Sequence, residues 1–188
     1  MEIAHFTDVS KLNQKSETET TDEDISRHHE LSKVWTLWTH LPHDTDWTLK
    51  SYKQVYDMTT VEETIALTES LPEVLVTNCM LFIMRKGIVP VWEDKCNRNG
   101  GCFSYKIANK QVYSIWKELT YMLVGETLSD NKKFVDTVTG ITISPKKSFC
   151  IIKIWLSSCD FQDATIITDE IRGLTSAGCL FKRHTPEY

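Results

Sequence analysis

The sequence predicts an α+β fold in which three helices pack on the convex face of a single curved antiparallel sheet of about seven or eight strands. Apolar segments with strand periodicity outnumber helical ones, and the connections between them are short. One segment, residues 109–125, carries a continuous apolar stripe at helical spacing. Short connections favour antiparallel pairing, and the apolar stripe of a helix must be buried against another layer.

Residues 1–27 differ in composition from the rest of the chain. Residues 1–24 hold seven acidic residues against two lysines, so the whole formal charge of -5 lies there. Such a polar segment cannot offset its ordering entropy, and we expect a disordered acidic tail over 1–27 and one domain over 28–188. The remainder, with 19 acidic and 19 basic residues, is neutral. This balance argues against broad binding to a nucleic-acid backbone but allows a small nucleotide pocket with local lysines.

The first half of the domain reads as strands around one helix. Residues 34–41 and 47–56 have strand character and are separated by a turn. Thr60 and Glu63 form a capping box, which predicts a helix from residue 61 that ends before Leu71 and Pro72. Three further strands are predicted, of which the first is apolar on both faces and central: residues 76–84, 87–92 and 102–107.

The second half begins with the clearest helix, which starts at Asn109 and stops at Gly125. Residues 137–144 and 149–156 predict a hairpin. A third helix is predicted over residues 160–172, ended by Gly173, and a short last strand over 179–182. The inward-facing residues of this third helix would be Phe161, Ala164, Ile167 and Ile171.

Six tryptophans are many for this length, and most are expected in the core. Trp116 lies on the apolar helix stripe, and Trp35 or Trp38 suits the first strand. Trp47 and Trp92 instead lie at predicted strand ends beside polar turns, where an indole is costly unless it meets a ligand or partner. Glu93 follows Trp92 directly, and one carboxylate can accept both donors on the Watson-Crick edge of guanine while an indole covers the ring.

Several separated motifs resemble the translation initiation factor 4E family. Residues 90–94 (Pro-Val-Trp-Glu-Asp), followed by Asn97, Gly100 and Gly101, are similar to the family's cap-binding loop. The resemblance extends in the same order over nearly the whole predicted domain, through residues 35–38, 47, 61–63, 115–118, 125–126 and 152–155.

This resemblance implies binding of the 7-methylguanosine cap of mRNA. Trp47 and Trp92 would stack on the two faces of the methylated base, Glu93 would bind its N1 and N2 donors, and Trp155 would approach the methyl group. Stacking contributes about 1 to 3 kcal/mol per base, and the positive charge that N7 methylation creates adds a cation-π interaction of about 0.5 to 2 kcal/mol. The pocket should therefore discriminate against unmethylated guanine.

The cap phosphates need cations, for which the predicted hairpin offers Lys146, Lys147 and Lys153. Strand alternation places Lys153 on the same face as Trp155. A solvated hairpin that happens to carry lysines is an equally good interpretation. The family's basic pattern is only partly kept here, because Ser148 and Ile151 stand where basic residues are usual.

The resemblance also implies a partner surface on the helices, for the initiation scaffold factor 4G or for 4E-binding proteins. Candidate contacts are His29, Val61, Ile65, Glu118 and Tyr121. Ile65 stands where the family uses a tryptophan, and Lys117 where it uses an apolar residue, so scaffold binding is in question. An ordinary solvated helix face is the alternative.

The sequence thus favours a cap-binding protein that acts in translation initiation; a repressor or decoy that occupies caps without recruiting the scaffold is the alternative. A cap hydrolase or methyltransferase is disfavoured, since the sequence offers no acidic metal cluster, glycine-rich loop or activated nucleophile. The six cysteines form no CxxC pair, and neither metal nor cofactor is expected. We expect a soluble monomer without a membrane span, in the cytoplasm and also in the nucleus.

Overall fold

The computed structural model describes residues 28–184, and the predictions for 1–27 and 185–188 lie outside this range. A single curved antiparallel sheet with helices on one face is confirmed, with the strand order β2-β1-β3-β5-β6-β4-β7. The bounds are β1 Glu30–His40, β2 Tyr52–Thr60, α1 Val61–Ser70, α2 Glu73–Asn78, β3 Met80–Arg85, β4 Gly101–Ala108, α3 Asn109–Val124, α4 Lys132–Thr137, β5 Val138–Pro145, β6 Phe149–Leu156 and β7 Leu180–Arg183.

The predicted capping box starts α1. The Thr60 hydroxyl accepts the N–H of Glu63 at 3.1 Å, and the Glu63 carboxylate accepts the N–H of Thr60 at 3.1 Å. Hydrogen bonds from Thr59, first from its hydroxyl and then from its backbone, lower the pKa of Glu63 to about 2. The box joins β2 to α1 without a linker, so it fixes where the first helix leaves the sheet.

The main core lies between α3 and the sheet. The α3 side chains Trp116, Leu119 and Leu123 are fully buried against strand residues such as Ile141 and Ile154. Each buried aliphatic side chain of this size stabilises the fold by about 1.5 to 3 kcal/mol. Among residues 28–184, no helix combines the length and hydropathy that a membrane span requires.

The two faces of the sheet have different partners because strand side chains alternate. In β3, Leu81 and Ile83 face the helices, whereas Phe82 and Met84 form a second apolar cluster on the opposite, open face. Trp155 joins that second cluster. Trp35 belongs to the core beneath the helices, whereas Trp38 packs against the cluster on the open face, so Trp35 is the core tryptophan of β1. The cluster on the open face forms the floor of the candidate site.

The predicted third helix is wrong. Residues 160–172 contain only a short 3-10 turn, Ala164–Ile166. In this turn the N–H of Thr165 donates to the Asp163 carboxylate at 3.0 Å. The N–H of Thr168 then bonds to the carbonyl of Leu128 at 2.9 Å, so tertiary contacts replace the helical ladder. The four predicted inward-facing residues still lie in or against the core, which explains their helix-like spacing.

Smaller differences affect other elements. The second strand begins at Tyr52 rather than residue 47, because the Asp46 carboxylate accepts the N–H of Thr48 and a 3-10 turn follows over Leu49–Ser51. Residues 76–78 belong to α2, which starts after Pro72, so β3 begins only at residue 80. The sequence did not indicate the short helices α2 and α4, each of six residues.

Candidate functional site

A cavity of about 270 Å³ opens on the face of the sheet away from the helices. Five of the predicted site residues meet there, namely Trp47, Trp92, Glu93, Lys153 and Trp155. A larger cavity of about 860 Å³ lies between the start of α4 and residues 164–176, and it contains none of the predicted residues. The other residues that line the smaller cavity are Tyr52, Met80, Phe82, Pro90, Val91, Thr142 and Ser144.

Trp47 forms one wall of the cavity from the loop that follows β1. Its indole is 59% exposed and stacks on the buried ring of His40, with ring centroids 4.2 Å apart and planes 8° from parallel. His40 is held in turn through its Nε2, which lies 2.9 Å from the carbonyl oxygen of Asp46. Since His40 does not line the cavity, it supports the back of the indole and leaves the other side to face the open space.

Residues 90–93 also line the cavity, and they belong to a segment, 86–100, that was predicted in part as a strand over 87–92. That prediction is wrong, because these residues form turns. The Asp94 carboxylate accepts the N–H of Val89 at 3.1 Å and the N–H of Cys96 at 2.8 Å. These bonds close the loop around Trp92 and take the backbone groups that a strand would need.

Asn97 ties the same loop to the sheet from a fully buried position. Its side-chain amide donates to the carbonyls of Val89 and Val91, at 3.2 and 2.9 Å. Its Oδ1 accepts the hydroxyl of Thr139 in β5 at 2.8 Å. The carbonyl of Val91, which accepts from Asn97, belongs to the residue directly before Trp92. Asn97 therefore anchors the backbone beside the second exposed indole.

Glu93 is exposed beside Trp92, and no side chain or backbone group among residues 28–184 bonds to its carboxylate. Burial, with the Glu93 carboxylate nearby, raises the pKa of Tyr52 above its ordinary value. The Tyr52 hydroxyl thus stays protonated at neutral pH. The site presents a carboxylate acceptor and a hydroxyl donor near two indole rings.

The floor contains Trp155, which is 7% exposed and lies 4.7 Å from the ring of His184 between centroids. His184 Nδ1 lies 2.8 Å from the carbonyl oxygen of Asn97, and burial lowers the pKa of its imidazole. Within the described part of the chain, Nε1 of Trp155, Nε2 of His184 and the hydroxyl of Thr142 are buried without a hydrogen-bond partner. Polar groups of this kind are available to a ligand or to water.

The three predicted phosphate-binding lysines are placed differently. Lys153 lines the cavity on the same face as Trp155, while Ile152 and Ile154 point into the core, as strand alternation predicted. Lys146 and Lys147 lie exposed in the turn between β5 and β6 and do not line the cavity.

An apolar groove of about 380 Å³ lies on the helical side and includes three predicted partner residues, Val61, Ile65 and Tyr121. Val61 is 39% exposed and Ile65 46% exposed. The predicted contacts His29 and Glu118 are exposed outside it, and His29 Nδ1 lies 2.7 Å from a carboxylate oxygen of Glu62. The groove is completed by Leu31, Thr64, Val124 and Gly125.

The model of the family described as eukaryotic initiation factor 4E matches residues 30–185, which span every strand and helix described above. The chain belongs to the eukaryotic initiation factor 4E family.

Relatives of this 4E-family protein occur in fungi and in a giant virus. Initiation factor 4E of Candida albicans is 27% identical over 184 residues, which cover 91% of this chain and 84% of that protein. The 4E homolog of Acanthamoeba polyphaga mimivirus is 44% identical over 62 residues, which cover 33% of this chain and only 23% of that protein. Factor 4E of Eremothecium gossypii is 28% identical over 153 residues, covering 78% of this chain and 71% of that protein.

Solved structures share the fold. A schistosome initiation factor 4E complexed with m7GpppG and 4E-BP superposes with a TM-score of 0.64 at 24% identity, over 72% of this chain and 75% of that chain. Factor 4E-3 of C. elegans in complex with the 4E-binding protein Mextli gives a TM-score of 0.63 at 21% identity, over 70% of this chain and 77% of that chain.

The structure of this 4E-family protein also brings residues to the site that the sequence did not single out. His40 backs Trp47, and Tyr52, Phe82 and Thr142 line the cavity. Strand alternation along β3 places the side chain of Phe82 on the face of the sheet opposite to Leu81 and Ile83. No sequence signal marks His40, because its stack with Trp47 depends on how the intervening loop folds back.

Proposed function

We propose that this protein binds the 7-methylguanosine cap at the 5' end of mRNA and acts in translation initiation. The observation that carries the proposal is the convergence of Trp47, Trp92, Glu93 and Trp155 on one open cavity. These residues come from two loops and one strand, 108 positions apart at the extremes of Trp47 and Trp155. Cap complexes of a schistosome relative with the same fold agree with this ligand.

The base is proposed to enter between the indoles of Trp47 and Trp92. A purine that carries a positive charge gains from both stacking and cation-π attraction, at about 1 to 3 and 0.5 to 2 kcal/mol respectively. Because the buried ring of His40 already stacks on one face of Trp47, that indole is held in place before the ligand arrives. Preorganisation of this kind lowers the entropy cost of binding.

Glu93 is proposed to accept the N1 and N2 donors of the base. Its carboxylate has no other hydrogen-bond donor within residues 28–184, so it is available for the ligand. Trp155 on the floor would approach the methyl group. Lys153, which lines the same cavity, is proposed to bind the first cap phosphates, with Lys146 and Lys147 reached only by a ligand that extends past the cavity toward the hairpin turn.

All of these roles are binding roles, and we propose a binding protein rather than an enzyme. Fluorescence titration with 7-methyl-GTP and with GTP tests the main proposal, because Trp47 and Trp92 are exposed and would be quenched by a stacked base. We expect strong quenching by the methylated nucleotide only. Trp92→Ala should abolish it, whereas Val74→Ala, on the exposed surface of α2, should not change it.

Equal quenching by GTP would contradict the cation-π step, and release of free nucleotide from capped RNA during incubation would contradict a binding-only role. Unchanged affinity of Glu93→Gln for 7-methyl-GTP would place the carboxylate away from the base. Each of these outcomes is visible in the same titration or in chromatography of its products.

The apolar groove around Ile65 is proposed to bind an amphipathic helix of a 4E-binding protein or of scaffold factor 4G. The walls are apolar and two of their side chains are well exposed, which suits helix-in-groove recognition. The alternative, a cap-binding repressor or decoy, is favoured by Lys117, which is held by Glu69 rather than adding to the apolar wall. A pull-down with the scaffold's binding helix separates the two: capture by the unmodified protein but not by Ile65→Asp supports an initiation role, and no capture supports the decoy.

A further inference from the structure

Three neighbouring strands at one end of the sheet, β6, β4 and β7, contain no aspartate or glutamate. They contain Lys153, Lys106 and Lys182 respectively. We call these three residues the lysine strip. The first of them lines the cavity, and the other two continue away from it across the sheet.

The strand register shows that the strip lies on the open face. Trp155 is paired with Cys102 of β4, which is paired with Lys182 of β7. Residues directly opposite in an antiparallel ladder share a face of the sheet. Lys182 therefore lies on the same face as Trp155, two strands away.

The same argument places the second lysine. Lys153 is paired with Ser104, and Ile151 is paired with Lys106. Since Lys153 and Ile151 are two residues apart on one strand, they share a face, and Lys106 belongs to that face as well. The three lysines thus form a triangle on one continuous surface.

The spacing suits a chain of phosphates. With about 4.8 Å between strands and about 3.4 Å per residue, the backbone of Lys153 lies about 8 Å from that of Lys106 and about 12 Å from that of Lys182. Flexible lysine side chains reach across such gaps. Phosphates bound along the triangle would leave the cavity at Lys153 and continue toward β7.

The charges of the strip are not neutralised within residues 28–184, where no carboxylate forms an ion pair with any of the three lysines. Lys106 and Lys182 are exposed. Lys106 Nζ lies 4.5 Å from the centre of the Phe149 ring on the same face, which holds it over the sheet. The described ion pairs all lie elsewhere on the molecule.

We propose that the lysine strip binds the backbone phosphates of the nucleotides that follow the cap, so that the RNA crosses β4 toward β7. This inference rests on the proposed cap binding and deepens it. A surface that is basic only beside the cavity gives affinity to RNA whose cap is already bound. It gives little to RNA without a cap, because residues 25–188 as a whole are neutral.

The test compares two ligands, 7-methyl-GTP and a capped oligoribonucleotide of about ten nucleotides, a length within the range of single-strand binding sites. The variant is Lys106→Gln with Lys182→Gln. The matched control is Lys132→Gln with Lys133→Gln, which removes two exposed lysines from α4 on the helical side. All proteins are titrated over a series of salt concentrations.

We expect the unmodified protein to bind the oligoribonucleotide more tightly than 7-methyl-GTP. The strip variant should lose roughly fivefold to tenfold in affinity for the oligoribonucleotide, and the slope of log affinity against log salt should fall by about 1.4, or about 0.7 for each lost contact. Its affinity for 7-methyl-GTP should stay within about twofold, because neither lysine lines the cavity. The control should match the unmodified protein for both ligands.

Three outcomes would overturn the strip proposal. One is an unchanged oligoribonucleotide affinity in the strip variant, and another is an equal loss in the control. The third is complete removal of the length-dependent gain by Lys146→Gln with Lys147→Gln, which would route the RNA over the hairpin turn. Failure of the unmodified protein to bind 7-methyl-GTP at all would instead overturn the proposed function together with the strip, so the two failures are distinguishable.

Discussion

Replacement of Asn97 by alanine should destabilise the fold and weaken cap binding together. Asn97 is fully buried and makes three side-chain hydrogen bonds, of 3.2, 2.9 and 2.8 Å, to Val89, Val91 and Thr139. Each neutral bond contributes about 1 kcal/mol net, and partners left buried without water cost more. We therefore expect the free energy of unfolding to fall by about 3 kcal/mol.

The measurement is urea denaturation, with 7-methyl-GTP titration of the folded variant. Asn99→Ala is the matched control, because Asn99 lies in the same loop, is exposed and makes no side-chain hydrogen bond to residues 28–184. It should change stability by less than about 0.5 kcal/mol. Thr139→Val removes only one of the three bonds and should cost about 1 kcal/mol. If Asn97→Ala were as stable as Asn99→Ala, or kept full affinity for 7-methyl-GTP, the proposed anchoring of Trp92 would be refuted.

Three other predictions concern stability. Thr60→Ala should cost about 1 kcal/mol by removing the cap of α1, measured by denaturation, and an unchanged midpoint would contradict the role of the box. Gly100→Ala should cost about 3 kcal/mol, since the new Cβ would lie 1.7 Å from the carbonyl oxygen of Leu156; a stable, well-expressed variant would argue against that close approach. Burial lowers the pKa of His184 below its ordinary 6.5, so the neutral form is favoured by folding. The contribution of neutral His184 to the free energy of unfolding is therefore present above pH 6.5 and is lost as the pH falls through the lowered pKa of the folded state. His184→Gln should make stability less dependent on pH between 7.5 and 5.5, as measured by denaturation at several pH values.

The sheet and α3 could be predicted because their signals are local. The α3 stripe, its stop at Gly125 and the Thr60–Glu63 box each involve residues within a few positions of one another. Alternation along β6 likewise separates Lys153 and Trp155 from Ile152 and Ile154. Physical rules of helix and strand periodicity are sufficient for these elements.

The third helix could not be excluded from the sequence, because residues 160–172 bury Ile167 and Ile171 at spacings that a helix would also give. What decides their conformation is a bond between Thr168 and Leu128, which are 40 residues apart. The loop that carries Trp92 is a similar case. Its apolar residues suggested a strand, but the side chains of Asp94 and Asn97 take over its backbone groups.

The prediction of the site was more successful for its aromatic residues than for its charges. Trp47, Trp92 and Trp155 do meet at one cavity, although their roles there remain proposals. Of the hairpin lysines only Lys153 reaches the cavity, because the turn after Pro145 carries the other two beyond it. The position of Lys106 and Lys182 on the open face of the sheet follows from the strand register, which the sequence alone does not give.

The strand order has a consequence for synthesis of the chain. Residues 86–100 connect β3 to β4, but β5 and β6 lie between those two strands in the finished sheet. A nascent chain that has emerged only as far as residue 137 therefore carries the loop with Trp92 but lacks both strands that the loop spans. If the cap is bound as proposed, affinity for it should appear only after residue 156 has left the ribosome, so chains that end before this residue would not compete for messages.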